Sequence, residues 1–160
     1  MVEHSRVIVT GGAGALGRAV VAWFEQEGAR VAVVDISDDV IRQAFPRPLQ
    51  KNLYVTCDLT DAESCTRAVE EIIDGFGEID VLCNVAGDFT WAKPVHETTV
   101  ETWNFLMDVN ARSVFNMARA VVPSMQRTGR GKIVNVAARA GQAGMALAGA
   151  YTASKAAVLV

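Results

Sequence analysis

The chain has 160 residues, enough for one domain with a sizeable buried core, and its 51% apolar and 21% charged residues argue against a disordered or fibrous protein. A net charge of −3 with no basic stripe argues against a nucleic-acid-binding surface, and no apolar run approaches the ~18–20 residues of a bilayer span. Residues 1–5 carry no apolar signal segment, and Cys57, Cys65 and Cys83 lack metal-ligand spacing. The expectation is a cytoplasmic protein, without membrane or metal, whose thiols are reduced and packed as apolar side chains.

Strand and helix patterns alternate along the chain. Residues 6–9 read as a short buried strand, followed by a glycine-rich turn at 10–17 and a helix over 18–27 that ends at Gly28. A second apolar run, 30–35, ends in Asp35. Residues 37–43 suggest a short helix, broken by Pro46 and Pro48. A third strand covers 53–57. Thr60 or Asp61 caps the next helix, which runs to about Gly75 with Ala68, Val69, Ile72 and Ile73 on its apolar face. The fourth strand, 79–84, leads into a turn at Ala86 and Gly87, and 88–96 reads as a loop. A long helical region over 100–128 contains Pro123, where a kink or break is expected, and 132–136 is a fifth strand. A small-residue loop, 137–149, precedes a last helix from Tyr151. Continuous apolar strands alternating with helices predict a single α/β domain, a Rossmann-type doubly wound parallel sheet in three α/β/α layers.

The glycine-rich turn carries the first chemical signal. Gly12, Gly14 and Gly17 satisfy the dinucleotide pattern G-x-G-x-x-G between a strand and a helix, where free helix N–H groups and missing Cβ atoms suit a pyrophosphate. The nucleoside-triphosphate motif G-x-x-x-x-G-K-[ST] fails, because Arg18 and Ala19 stand where it needs a lysine and a hydroxyl. Asp35 lies 18 residues after Gly17 at a strand end, where a carboxylate accepts hydrogen bonds from both ribose hydroxyls and repels a 2′-phosphate. No Lys or Arg stands at 11–17 or 36–37 to offset it, so NAD is favoured over NADP. Asp58 repeats the arrangement after strand three, within reach of an adenine amino group; helix capping near Thr60 is its other reading. The small residues after Asn84 leave room for a ribose. Tyr151 and Lys155, four apart, share one helix face, and an ammonium near a phenol favours phenolate. Such a tyrosine can exchange a proton with an alcohol while hydride moves to or from a nicotinamide.

Taken in order, Thr10, Gly11, Ala15, Gly17, Asp35, Asp58, Asn84, Ala86, Gly87, Asn110, Tyr151 and Lys155 resemble the motifs of the short-chain dehydrogenase/reductase family, over residues 7–160. The resemblance implies an oxidoreductase acting on a secondary alcohol or ketone with NAD. In that scheme Tyr151 is the acid/base, Lys155 lowers its pKa and binds the nicotinamide ribose, and Asn110 holds a water linked to Lys155. Gly11, Gly14, Ala15, Leu16 and Gly17 cradle the cofactor with Asn84, Ala86 and Gly87. Asp35 selects NAD, and Asp58 with Leu59 holds the adenine.

Three positions depart from the family pattern: Ala15 for Gly, Val85 for a second Asn, and Ala138 where the catalytic serine is expected, 13 residues before Tyr151. The last removes a hydrogen-bond donor to the substrate oxygen. Dihydropteridine reductases of the same superfamily work without that serine, so an enzyme of that kind is an alternative, as is a non-catalytic NAD(H)-binding sensor. The resemblance also implies a longer domain, with two more strands and a segment that closes over substrate. It implies a homodimer or homotetramer paired through the helices around Asn110 and Tyr151.

Overall fold

The computed structural model describes residues 2–89 and 93–160. Five parallel strands form one sheet: β1 (Arg6–Thr10), β2 (Arg30–Asp35), β3 (Leu53–Thr56), β4 (Val81–Asn84) and β5 (Lys132–Asn135), in the order β3-β2-β1-β4-β5. The chain first winds from β1 outward to β3, then crosses back to place β4 on the other side of β1. That reversal opens a crevice beyond the carboxyl ends of β1 and β4, where doubly wound sheets bind ligands.

Six α-helices flank the sheet: α1 (Ala15–Gln26), α2 (Asp38–Ala44), α3 (Ala62–Phe76), α4 (Val100–Met107), α5 (Ser113–Thr128) and α6 (Gly149–Leu159). Strand alternation sends side chains to both faces, and both are covered. Ile8, Ala32, Val34 and Leu82 pack with Val69 and Ile72 of α3 and Met117 and Val121 of α5. Val7, Val9, Val31 and Val33 pack on the other face with Val21 and Phe24 of α1. A fully buried Ile or Val contributes roughly 1.5–3 kcal/mol relative to an exposed one, so this two-sided burial of β1 and β2 fixes the centre of the sheet. β5 differs: all four of its residues are exposed.

Local chemistry sets the helix ends. The Asp61 carboxylate accepts the N–H groups of Glu63 and Ser64 and caps α3. Ser37 caps α2, and the chain leaves that helix at Phe45, next to Pro46. α1 begins at Ala15, three residues earlier than the sequence pattern suggests, because the end of the glycine turn is itself the first helical turn. The long helical region over 100–128 is interrupted, but not at Pro123, which lies inside an unbroken α5. The interruption is a π-helical turn at Asp108–Arg112. An added residue per turn there rotates the following helix and points Asn110 inward. The expected loop over 88–96 holds a short 3-10 turn at Val95–Glu97; positions 90–92 lie outside the described residues. Among the described residues, no helix is long and apolar enough to cross a membrane, and no group of three or more His, Cys, Asp or Glu side chains is placed to hold a metal ion.

Candidate functional site

The glycine turn is shaped by what it cannot accommodate. Gly11 has φ +60°, and a Cβ there would stand 2.7 Å from the Ala86 Cα, so only glycine lets β1 pass so close to the loop after β4. A Cβ on Gly17 would fall on the Gly11 carbonyl oxygen and 2.7 Å from the Gly12 Cα. At Gly14 the crowding is milder, with the Gly11 oxygen 3.2 Å away. No side chain caps α1, whose first N–H groups therefore lack helical partners beside a surface free of Cβ atoms. Thr10, buried at the end of β1, completes the frame: its Oγ1 accepts the N–H groups of Val85 at 3.1 Å and Ala86 at 3.3 Å.

In front of the turn lies a cavity of about 780 Å³ whose walls include Gly14, Leu16, Asp35, Asp58, Leu59 and Gly87. Gly11, Ala15, Gly17 and Ala86 face it as well. The Asp35 carboxylate ties two parts of the wall together. Its Oδ2 accepts the Ala13 N–H at 2.9 Å and its Oδ1 the Ile36 N–H at 2.8 Å. Each oxygen retains lone-pair capacity for a further donor. Asp58 divides its function, because Oδ1 accepts both the N–H (2.9 Å) and the hydroxyl (2.7 Å) of Thr60 in a turn leading to α3. The cap of α3 is Asp61 and not Thr60. The Leu59 carbonyl accepts the Asn116 amide at 3.0 Å. Asn84 is not part of this wall: it is buried, and its Nδ2 donates to Asn135 of β5 at 2.9 Å.

A second cluster adjoins the cavity at Gly87. Asn110, fully buried in the π turn, donates through Nδ2 to the Asp88 carbonyl at 3.0 Å and to Ser154 Oγ at 3.1 Å, and its Oδ1 accepts the Asp88 N–H at 3.0 Å. Both Asn110 amide N–H donors are thus committed to protein groups, while Oδ1 keeps one lone pair. Ser154 Oγ donates onward to the Tyr151 carbonyl at 2.8 Å. Lys155 is 5% exposed, and its Nζ donates to the Val136 carbonyl at 3.0 Å. Burial pushes this ammonium below the ordinary lysine value. A Cβ at Gly87 would meet Asn110 Oδ1 at 2.6 Å and Lys155 Nζ at 3.0 Å, so the missing side chain joins the two clusters. The Tyr151 ring stands edge-on to Phe89, centroids 4.7 Å apart. Ala138 is extended, and its carbonyl accepts the Gly141 N–H at 2.9 Å in the 3-10 turn Arg139–Gly141.

Sequence reasoning named Thr10 in the motif but not its bonds to Val85 and Ala86, and it missed Asp88, Ser154 and the Val136 carbonyl as parts of this frame. Ser154 had a signal, since it lies one turn after Tyr151 and next to Lys155. A backbone carbonyl carries none.

Residues 5–160 match the short chain dehydrogenase family. Sorbitol dehydrogenase of Cereibacter sphaeroides is 39% identical over 158 residues, covering 98% of this chain and 61% of that protein. The 2-dehydro-3-deoxy-L-rhamnonate dehydrogenase (NAD(+)) of Sphingomonas sp. (strain SKA58) is 36% identical over 152 residues, covering 95% and 61%. The crystal structure of an NAD+-bound xylitol dehydrogenase superposes with a TM-score of 0.93 at 28% identity, covering 98% of this chain and 62% of that one. The chain therefore spans about three-fifths of the length of these relatives. It belongs to the short chain dehydrogenase family.

Proposed function

We propose that this protein is an NAD(H)-dependent oxidoreductase that interconverts a secondary alcohol and a ketone. The observation that carries the reading is the junction at Gly87. There the Cβ-free cavity of the glycine turn meets a buried lysine and, one helical turn away on α6, a tyrosine. The family's relatives named for sorbitol, xylitol and cyclopentanol support this chemistry.

The residues fit a dinucleotide. Gly11 and Gly17 sit where side chains would close the cradle, and Gly14 with the open N-terminus of α1 suits a pyrophosphate. Asp35, already fixed by Ala13 and Ile36, offers its remaining lone pairs to an adenosine ribose, and Asp58 with Leu59 walls the adenine end. When bound, the nicotinamide supplies or accepts the hydride. Tyr151 then gives a proton to the ketone oxygen, or takes one from the alcohol. Lys155 lies one helical turn from Tyr151, and the donors left beyond its bond to Val136 are free for a ribose. Asn110 holds Asp88 and α6 in register through its three side-chain bonds. The exposed apolar side chains of Trp103, Phe105 and Phe115 on α4 and α5 support a homo-oligomer paired through these helices.

Turnover by the full-length protein on a panel of alcohols and ketones tests the reading. Tyr151→Phe should cut kcat by about 10²–10⁴-fold while NADH binding, followed by fluorescence, stays unchanged. Full activity in that variant would remove Tyr151 from the chemistry. Asp35→Ala should shift the preference towards NADP by about tenfold, as befits the loss of ribose hydrogen bonds worth about 1.4 kcal/mol. A second reading rests on Ala138, whose methyl offers no donor to a substrate oxygen. NADH binding with turnover of quinonoid pterin alone, or of nothing, would select the reductase or sensor alternative.

A further inference from the structure

Cys57 and Cys65 stand apart from the chemistry above, yet Cys57 borders the same cavity and Cys65 packs behind it in the core. Cys57 follows β3 directly, where its N–H donates to the Asp35 carbonyl at 2.8 Å, and it lies in the cavity wall next to Asp58. Cys65 lies in the first turn of α3. The two sulfurs are 3.9 Å apart, and no other side chain separates them. Both thiols are free and buried, and Cys57 is the one that borders the cavity.

The surroundings give the two thiols different parts. Ser64 Oγ, at 3.6 Å, donates to Cys57 Sγ, and the Cys57 thiol donates to Cys65 Sγ at 3.9 Å. Cys65 has acceptors for its proton in the carbonyls of Leu59 at 3.6 Å and Asp58 at 3.9 Å. Cys57 borders the cavity and Cys65 does not, so Cys57 is the nucleophile of the pair and Cys65 the thiol behind it.

We propose that Cys57 in the cavity wall and Cys65 behind it form an oxidisable dithiol, closed to a disulfide by a hydroperoxide entering where the adenine end of a dinucleotide would lie. The Cys57 thiolate attacks the peroxide, whose O–O bond breaks, giving the sulfenic acid and, once a proton is taken up, the alcohol, which is water when the oxidant is hydrogen peroxide. The Cys65 sulfur then attacks Cys57 Sγ. The S–S bond forms, the S–O bond breaks, and the departing hydroxide leaves as water with the Cys65 proton. Two thiols and one hydroperoxide thus yield one disulfide, one water and one alcohol, or two waters when the oxidant is hydrogen peroxide. A disulfide brings its sulfurs to about 2 Å, so closure draws Cys57 and Cys65 together by roughly 2 Å. That movement falls on the intervening turn, whose Asp58, Leu59 and Thr60 line the cavity. Oxidation therefore weakens dinucleotide binding, and bound dinucleotide shields the dithiol. These two consequences rest on the function proposed above; the cross-link itself does not.

Both cysteines fall in one tryptic peptide, residues 52–67, whereas Cys83 falls in another. The purified full-length protein is treated with hydrogen peroxide, denatured, alkylated and digested. The expected product is peptide 52–67 lighter by two hydrogens, unalkylated and recovered as two thiols after dithiothreitol, with Cys83 alkylated throughout. Cys65→Ser should abolish this product while leaving the thermal transition and NADH binding of the reduced protein near wild type. Recovery of both cysteines as alkylated thiols, at a dose that converts the half-buried Met145 to its sulfoxide, overturns the proposal. NADH at ten times its Kd should slow closure about tenfold. Its binding is followed by fluorescence in the same sample. Unchanged closure with NADH bound overturns the cavity route. Absence of NADH binding counts against the dinucleotide reading and leaves the cross-link to be judged by mass alone.

Discussion

The two ends of the sheet solve opposite problems. At the amino ends of β1 and β4, charge is dense and mutually cancelled. Arg6 Nε contacts Asp80 Oδ2 at 2.7 Å and Arg6 Nη1 contacts Glu78 at 2.5 Å, while Arg130 reaches Glu78 at 3.1 Å and Asp80 at 3.3 Å. At the carboxyl ends the wall is glycine, alanine and backbone amide, and the nearby acids Asp35 and Asp58 are held by N–H and hydroxyl donors instead of cations. Fixed cations opposite the acids would compete with any ligand for them. Backbone donors orient a carboxylate without neutralising it. The charge-rich end is therefore a clasp, and the charge-poor end is the place for a ligand.

Breaking the second end from within gives the largest expected effect. Asn110→Leu strands the Asp88 N–H and carbonyl and one bond of the Ser154 hydroxyl. Because each unsatisfied buried group costs about 1–3 kcal/mol, denaturant titration should show a loss of about 3 kcal/mol or more. A loss below 1 kcal/mol would mean that water replaces the network and that this end is less closed than described. Gly17→Ala is next. Its methyl must displace the Gly11 carbonyl, and overpacking of about 1–3 kcal/mol should weaken NADH binding by roughly ten- to a hundredfold. Unaltered affinity would show that the turn adapts freely.

The clasp should respond in stability and not in binding. Asp80→Asn removes the carboxylate that both arginines share and should destabilise the fold by about 1–2 kcal/mol, with NADH affinity unchanged. Burial by itself would raise the Asp80 carboxyl. The Arg6 side-chain and backbone hydrogen bonds and the charges of Arg6 and Arg130 instead hold it below the ordinary aspartate value. The folded state thus binds its proton less readily than the unfolded chain. The resulting stability is complete above the ordinary aspartate value and is lost as pH falls through the lower folded one. Urea midpoints measured across that acidic window should converge for wild type and Asp80→Asn; parallel curves would exclude Asp80 as the source.

Much of the ligand end was legible in the sequence. Gly11, Gly14 and Gly17 announce a turn that no side chain can enter, and Asp35 and Asp58 follow apolar runs that place them at strand ends. Tyr151 and Lys155 share a helix face by spacing alone. The partners of these residues were less legible. Asp35 signals an acid at a strand end but not its bond to Ala13, 22 residues away, and Asn84 signals a small-residue turn but not its side chain's commitment to Asn135. Pro123 drew attention as the breaker of the long helix, whereas the break falls at Asp108–Arg112, a segment with no proline or glycine. There the bonds of Asn110 to Asp88 and Ser154 outweigh local helix geometry.

By itself, the sequence determined the alternation of buried strands and helices, the parallel doubly wound sheet, and the end of it that lacks side chains. These follow from apolar runs, caps and glycines, whose effects act between neighbours. The tertiary structure decided which groups saturate one another. Thr10 holds Val85 and Ala86 across 75 and 76 residues, Asn110 holds Ser154 across 44, and Lys155 reaches Val136 across 19. It also brought Cys57 and Cys65 to 3.9 Å in the core, a contact that their eight-residue spacing does not reveal. Hydrogen-bond saturation depends on which atoms meet after the sheet has assembled, and no local pattern records that.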